Sequence, residues 1–285
     1  MNQAFSFNRW LLLVAKHWSE NRKKYSLGIL AITGIILIWF FFNIMMERYR
    51  PMAFGTQVGT YFAGLFIVGC LYASTLFSDL ASKPKGINYL SLPASQLEKT
   101  LCSLLYGAIL FFAVYTVVFY IADIIMVKIA NSIAYGYWQK NHSQGDTFNP
   151  EEVVNIISLG NRGIGSNNLN MGFIILLIYF AVQSAYILGS VYFSRFSFIK
   201  TTISLLVVGL LIIVFIGKIL NSFMPDGNFY EGITSYRLYD VNVVDGEKFI
   251  RLPEWVNTGT TFLLKYAFAP VFWVATYFRV KEKEI

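Results

Sequence analysis

The stretch "LGILAITGIILIWFFFNIMM", residues 27–46, decides the class of this protein. It is almost entirely apolar and contains no charged residue. A run of about 20 such residues forms an α-helix long enough to cross the hydrocarbon core of a bilayer. The whole chain is 56% hydrophobic and only 14% charged, whereas soluble domains carry about 25% charged residues. The sequence therefore predicts an all-α, polytopic membrane protein.

Further apolar runs of similar length predict six transmembrane helices in a single domain that covers residues 1–285. The spans are expected near residues 27–46, 58–77, 100–125, 171–192, 201–220 and 260–278. The last run contains Lys265 and Pro270 and is the least regular of the six. No internal repeat of 20–50 residues is present to suggest a different architecture.

Lysine and arginine residues set the expected orientation. The net charge is +7, but the basic residues are spread between apolar runs and form no stripe for nucleic acid. They concentrate on the side that holds both chain termini: Arg9, Lys16, Arg22, Lys23, Lys24, Lys83, Lys85, Lys99, Arg195, Lys200, Arg279, Lys281 and Lys283. The positive-inside rule places that side in the cytoplasm. Loops 134–170 and 221–257 are then extracytoplasmic.

The N-terminal segment 5–24 has the pattern of an amphipathic helix. Its apolar side chains recur at i, i+3, i+4, i+7 and i+11: Phe7, Trp10, Leu11, Val14 and Trp18. Arg9, Lys16 and Glu20 are expected on the opposite side. Tryptophan on the apolar face of such a helix is typical of a segment that lies in the membrane interface in contact with lipid. Packing of the same face on a soluble partner is the alternative.

A short segment between the second and third spans, "KPKGINYLSLPASQLEKTL" (83–101), combines basic and apolar residues. Ser95 and Glu98 form an S-x-x-E capping box, which predicts that the third helix begins near Gln96. Residues 82–92 are expected to form one or two helical turns on the cytoplasmic face, with proline at the start. Apolar side chains exposed there indicate a docking surface; an ordinary loop packed on its own bundle is the alternative.

The motif "YLSLPASQLEKTL" (89–101) resembles the membrane permeases of type-2 ABC exporters, in particular a bacterial group with a Leu-Pro-Ala-Ser…Glu-Lys signature. The resemblance implies an elbow helix before six spans, a cytoplasmic coupling helix between spans two and three, and an extracytoplasmic insertion between spans five and six. It further implies a bacterial cytoplasmic membrane, a second permease chain, and a separate ATP-binding subunit that holds ATP and magnesium. The coupling residues would be Lys83, Pro84, Lys85, Ile87, Tyr89 and Leu90, and the elbow residues Phe7, Trp10, Leu11, Val14 and Trp18.

Both extracytoplasmic loops carry secondary-structure signals. Residues 149–160, "NPEEVVNIISLG", predict a helix with Asn149 as its N-cap and Gly160 at its end. Asp245-Gly246 lies between two strand-like runs and predicts a small hairpin over about 239–252. These elements are expected to pack as a lid on the bundle, with gating of an exit path or partner binding as alternatives.

A few polar residues fall within the spans. Asp123 and Lys128 are expected at the outer interface of the third span, on different faces of the helix. Gln183, Tyr186 and Lys265 are candidate contacts to a transported substrate, although Lys265 can also extend its amine outward to the interface.

Motifs of several enzyme classes are missing from the sequence. The chain has no G-x-x-x-x-G-K-[ST] motif for nucleotide phosphates, no H-E-x-x-H and no G-x-S-x-G. The two cysteines, Cys70 and Cys102, occur without metal-ligand spacing. We therefore predict no catalytic residue, no metal site and no cofactor on this chain. A secondary transporter without an ATPase partner is the alternative function, favoured by the break at Pro270.

Overall fold

The computed structural model describes residues 5–47, 50–81, 83–141, 147–156, 171–223, 235–239, 247–251, 255, 258–259 and 262–283. Its helices are α1 (Phe7–Met46), α2 (Phe54–Ala73), α3 (Lys83–Leu90), α4 (Gln96–Leu104), α5 (Phe111–Asn141), α6 (Met171–Tyr192), α7 (Ser197–Phe223) and α8 (Phe268–Glu282). A 3₁₀ turn, Ser78–Ala81, precedes α3. A π-helix, Leu105–Leu110, joins α4 to α5, and a second π-helix, Leu263–Ala267, precedes α8.

Within the described residues, five helices are long and apolar enough to cross a membrane: Phe7–Met46, Phe54–Leu80, Gln96–Asn141, Gly172–Tyr192 and Ser197–Phe215. They correspond to the first five predicted spans. The sixth predicted span, 260–278, coincides in part with the second π-helix and α8, which are not among these five. The structure therefore describes a predominantly helical membrane protein.

The predicted N-terminal segment 5–24 and the predicted first span do not form separate elements. They are one continuous helix, α1, of 40 residues. At about 1.5 Å per residue this helix is about 60 Å long, twice the thickness of the hydrocarbon core. Its N-terminal half lies along α4. In the π-helix that follows α4, the hydroxyl of Tyr106 donates to the carbonyl of Val14 at 2.9 Å. The elbow is therefore not seen as an independent helix.

Two apolar clusters hold the bundle together. The first joins α1, α2 and α5 through aromatic rings, including Phe40, Tyr61, Tyr115 and Phe119, all at most 2% exposed. The second lies between α2, α6 and α8 and includes Phe77, Ile187 and Val280. Helix α6 is central, because it contacts α2, α7, α8 and both π-helices. By contrast, α7 is apolar on every side and largely exposed, as expected of a helix that faces lipid.

The loop after α5 differs from its prediction. Helix α5 runs to Asn141, well past residue 125, because Met126, Val127, Ala130 and Ala134 continue its buried face. Residues 147–155 are neither helical nor part of a strand, so the predicted helix over 149–160 is wrong for this part; residues 157–160 lie outside the described residues. We call residues 151–156 the outer segment. Val154 and Ile156 of this segment are 5% and 2% exposed and join the first apolar cluster.

Side chains from distant helices hold the outer segment in place. The Asn131 side chain donates to the carbonyl of Glu151 at 2.8 Å and accepts from its N–H at 3.3 Å. Gln57 donates to the carbonyl of Glu152 and accepts from the N–H of Val154. The Tyr120 hydroxyl accepts from the N–H of Ile156. Since these bonds satisfy the backbone groups that a helix would have paired, the local helix signals are overridden.

A two-stranded antiparallel hairpin follows α7. Strand β1 (Ser235–Tyr239) pairs with β2 (Glu247–Arg251), and Tyr239 is opposite Glu247. The first strand comes earlier than the predicted start at residue 239, and the predicted turn at Asp245-Gly246 falls in the connection 240–246. That connection lies outside the described residues.

Candidate functional site

The start of α4 lies beside the starts or ends of several other helices. The structure contains the expected capping box: the Ser95 hydroxyl accepts from the N–H of Glu98 at 3.2 Å, and the Glu98 carboxylate accepts from the N–H of Ser95 at 2.9 Å. Helix α4 begins at Gln96, directly after this cap. The cap thereby fixes the direction of the chain as it leaves α3.

Glu98 also binds the start of α1. Its Oε1 atom accepts from the N–H of Ser6 at 2.7 Å and from Nη2 of Arg9 at 2.9 Å. The Glu98 side chain is fully buried, whereas that of Arg9 is 41% exposed. A buried carboxylate with several donors is stable only where those donors stay in place. Glu98 therefore ties the first turn of α1 to the first turn of α4.

The neighbouring residue, Lys99, binds α3. Its side chain is 1% exposed, and its Nζ donates to the carbonyl of Leu90, the last residue of α3, at 2.9 Å. The same amine lies 5.6 Å from the centre of the Tyr89 ring, within reach of a cation–π contact. Consecutive residues of α4 thus hold two different helices. We call Arg9, Leu90, Ser95, Glu98 and Lys99 the junction.

Tyr89 packs on its own bundle; its expected contact with a partner, like that of Leu90, stays a prediction. The Tyr89 ring packs edge-on against Phe77, with 6.4 Å between ring centres. Burial raises the pKa of the Tyr89 phenol above its ordinary value. Leu90 is half-buried. The Tyr89 ring and the Leu90 carbonyl thus hold α3 on its own bundle.

The outward face of α3 carries the other predicted contact residues. Pro84, Lys85 and Ile87 are exposed, with Ile87 57% exposed, and Asn88 lies beside them. The side chain of Lys83 lies outside the described residues. The exposed side of α3 therefore presents an isoleucine between basic and polar neighbours.

The five predicted elbow residues divide between two environments. Phe7, Leu11 and Trp18 are 58%, 45% and 52% exposed, so their side chains are available to lipid. Trp10 and Val14 are half-buried against the bundle. Arg9 was expected on the polar side, away from the packed face; the structure places it against Glu98 instead.

Two of the candidate pathway residues, Gln183 and Tyr186, lie three positions apart on α6. The Gln183 side chain is 1% exposed and donates to the carbonyl of Gly107, in the π-helix between α4 and α5, at 2.7 Å. The Tyr186 hydroxyl is bonded to that of Thr202 at 2.8 Å, and its ring stacks on Phe198. Lys265 lies in the second π-helix. Gln183 and Tyr186 thus make contacts between helices.

An apolar groove of about 330 Å³ lies between α4 and α8. Leucines of α4 line one wall, and Pro270, Trp273 and Val274 are among the residues of the other. None of the three candidate pathway residues lines this groove. It opens on the side of the bundle between two helices of the predicted membrane region.

Asp123 was expected at the outer interface of the third span. Its side chain is fully buried in α5. The described residues contain no group of three or more His, Cys, Asp or Glu side chains that could hold a metal ion. Neither the burial of Asp123 nor the pairing of Arg9 with Glu98 has a local signal in the sequence, because both depend on helices brought together by folding.

Comparisons of this chain with models of protein families, with curated proteins and with solved structures found no match.

Proposed function

We propose that this protein is the permease subunit of an ABC exporter in a bacterial cytoplasmic membrane, with six spans and both termini in the cytoplasm. A separate ATP-binding subunit, which carries ATP and magnesium, drives it, and a second permease chain completes the pathway. The observation that carries the proposal is the position of α3. This short helix offers exposed Pro84, Lys85 and Ile87 on one face while Tyr89 and Lys99 fix its other face to α4.

The distribution of basic residues supports the orientation. Arg9, Lys85 and Lys99 lie at the end of the bundle where α3 and the start of α4 meet. Arg279 of α8 also lies at that end. Its guanidinium is 4.6 Å from the ring of Tyr192, the last residue of α6, and helix α6 contacts the 3₁₀ turn before α3. A cytoplasmic location of this end agrees with the positive-inside rule.

The junction supplies a path from α3 into the membrane helices. A displacement of α3 by the ATPase subunit acts on α4 through Lys99 and its bond to Leu90. Movement of the first turn of α4 acts on α1 through Glu98 and Arg9. Because buried polar contacts resist being pulled apart, the three helices move together. ATP-driven closure of the ATPase dimer is thereby converted into alternating access of the bundle.

Co-purification with a single substitution tests the proposal. We expect a P-loop ATPase to co-purify with the parent chain from its native membrane. Ile87→Asp should remove it, since the carboxylate would be desolvated without a partner at the contact. Phe196→Asp is the matched control: Phe196 is also an exposed apolar residue, 74% exposed, in the connection between α6 and α7. If no ATPase accompanies the parent, or if Ile87→Asp retains it fully, the proposal is wrong.

A secondary transporter remains the second candidate function. It is favoured by the fully buried carboxyl group of Asp123 and by the π-helix before Pro270, since transporters of this class use ionisable residues and interrupted helices within the membrane. In membrane vesicles prepared from cells, an ion gradient would then drive transport without ATP. Transport that requires ATP and is insensitive to collapse of ion gradients would exclude this candidate.

A further inference from the structure

Asp123 is a buried acidic residue that the proposed function does not use. Its side chain is fully buried in α5, and neither carboxyl oxygen has a hydrogen-bond partner among the described residues. Polar atoms without partners are uncommon in protein interiors, and an ionisable group without one is rarer still. The residue therefore needs a physical explanation.

Among the described residues, the apolar cluster that α5 joins offers no compensating charge. Helix α1 contributes Phe40 and Ile44, α2 contributes Gln57 and Tyr61, and the outer segment contributes Val154 and Ile156. On α2 and on the turns of α5 that join the cluster, the ionisable groups are the phenols of Tyr61, Tyr115 and Tyr120. Each is already hydrogen-bonded, to Thr116, to the carbonyl of Tyr61 and to the N–H of Ile156 respectively.

Charged residues nearby in the chain point elsewhere. Lys128 of α5 is exposed, as are Glu47, Arg50 and Glu152, and Glu151 is half-buried. The amide of Gln57, the remaining polar group, is used by the carbonyls of Met52 and Glu152 and by the N–H of Val154. Within the part of the chain that the structure describes, an ionised carboxylate at Asp123 would thus be removed from water without a cation or a donor.

We propose that Asp123 carries a proton in this conformation and is a proton-binding site inside the helical bundle. Removing a carboxylate from water without a partner costs far more than burying the neutral acid, so the buried site selects the protonated form. This inference goes beyond the proposed function and does not depend on an ATPase partner.

The outer segment closes this site. Asn131 and Tyr120 of α5 and Gln57 of α2 hold its backbone against the apolar cluster that contains Ala122 and Met126, neighbours of Asp123 on α5. The helical chain from Glu98 to Asp123 rises about 37 Å at 1.5 Å per residue, more than the hydrocarbon core of about 30 Å. Asp123 therefore lies toward the end opposite the junction. Opening of the outer segment would admit water, and the proton would leave to that side.

Infrared spectroscopy of the full chain in lipid provides the test, because a protonated carboxyl group absorbs separately from amide groups and from carboxylates. At neutral pH we expect a protonated-carboxyl band that shifts when the aspartates are labelled with carbon-13 at the side-chain carboxyl. Asp123→Asn should abolish it, and Asp79→Asn, at an exposed aspartate, should leave it unchanged. Asp123→Glu should shift the band, and this variant replaces Asp123→Asn in the test if the asparagine variant does not fold.

A stability measurement gives an independent readout. The folded parent would hold a proton that the unfolded chain releases at neutral pH, so its stability falls as pH rises. From about pH 5 to about pH 8 the melting temperature of the parent should drop more than that of Asp123→Asn. The proposal is overturned if the band is absent from the parent, if it survives in Asp123→Asn, or if both proteins respond equally to pH.

Discussion

The Nη2 atom of Arg9 lies 2.9 Å from Oε1 of Glu98, although 89 positions separate the two residues in the sequence. Glu98 is also the third residue of α4 and completes the capping box with Ser95. A single buried carboxylate therefore accepts hydrogen bonds from the starts of two helices at once. The residue after it, Lys99, holds the end of α3. The signature in the sequence thus corresponds to one compact contact among three helices.

Glu98→Gln should lower the stability of the protein while leaving the size of the side chain unchanged. The amide keeps one acceptor oxygen but loses the charge that binds Arg9 and the two backbone N–H groups. Hydrogen bonds to charged groups contribute about 1.5–3 kcal/mol. We expect a loss toward the lower end of that range, because Arg9 is partly exposed and can be rehydrated. Thermal unfolding in detergent measures it.

The matched control for this variant is Glu20→Gln. Glu20 pairs with Lys16 at 3.8 Å, but both side chains are exposed. Such surface pairs contribute about 0–1 kcal/mol. Equal effects of the two substitutions would mean that burial of Glu98 adds nothing to the Arg9 contact, contrary to our description of the junction.

Gln183→Leu should destabilise the contact between α6 and the π-helix. The Gln183 amide donates to the carbonyl of Gly107, and the bond is buried. Hydrogen bonds between membrane helices contribute about 0.6–1.7 kcal/mol. The control is Ser184→Ala, since the Ser184 hydroxyl bonds only within its own helix, to Ala181. A substrate contact predicts the opposite result: transport would change in Gln183→Leu without any loss of thermal stability.

Features set by adjacent residues could be predicted from the sequence. The start of α4 follows from the spacing of Ser95 and Glu98, and the position of α3 follows from the proline and the apolar pattern around it. Long apolar runs predicted five of the helices, because length and composition alone determine whether a helix can cross a membrane.

Features that depend on distant residues could not be predicted. The acidic, proline-led start of residues 149–160 favours a helix locally, yet side chains of Gln57, Asn131 and Tyr120 bind its backbone groups instead. The inward turn of Tyr89 requires Phe77 and Lys99 as neighbours. In each case the hydrogen bonds or ring contacts that determine the conformation come from other helices, and no short sequence pattern indicates them.

Cysteine labelling should determine the orientation of the chain. Asn88 of α3 and Lys140 of α5 are both exposed, and the native cysteines, Cys70 and Cys102, are buried and free. In a background that lacks both native cysteines, Lys140→Cys should react with an impermeant reagent on intact cells. Asn88→Cys should react only after permeabilisation. The reverse pattern would place α3 outside the cell and remove the basis for an ATPase contact.

The two faces of α3 should respond differently to truncation. Tyr89→Ala removes a ring that packs on Phe77 and lies beside the Lys99 amine. Truncation of a buried aromatic residue costs about 3–5 kcal/mol, and we expect a smaller loss here because α3 can detach without unfolding the bundle. Amide hydrogen exchange should therefore increase across α3 while the exchange of α2 and α5 stays unchanged.

Ile87→Ala is the matched control: this side chain is 57% exposed, so exchange should match that of the parent in the isolated chain, and only ATPase binding should weaken. Faster exchange of α3 in Ile87→Ala, or unchanged exchange in Tyr89→Ala, would show that the inward and outward faces have been assigned the wrong way round.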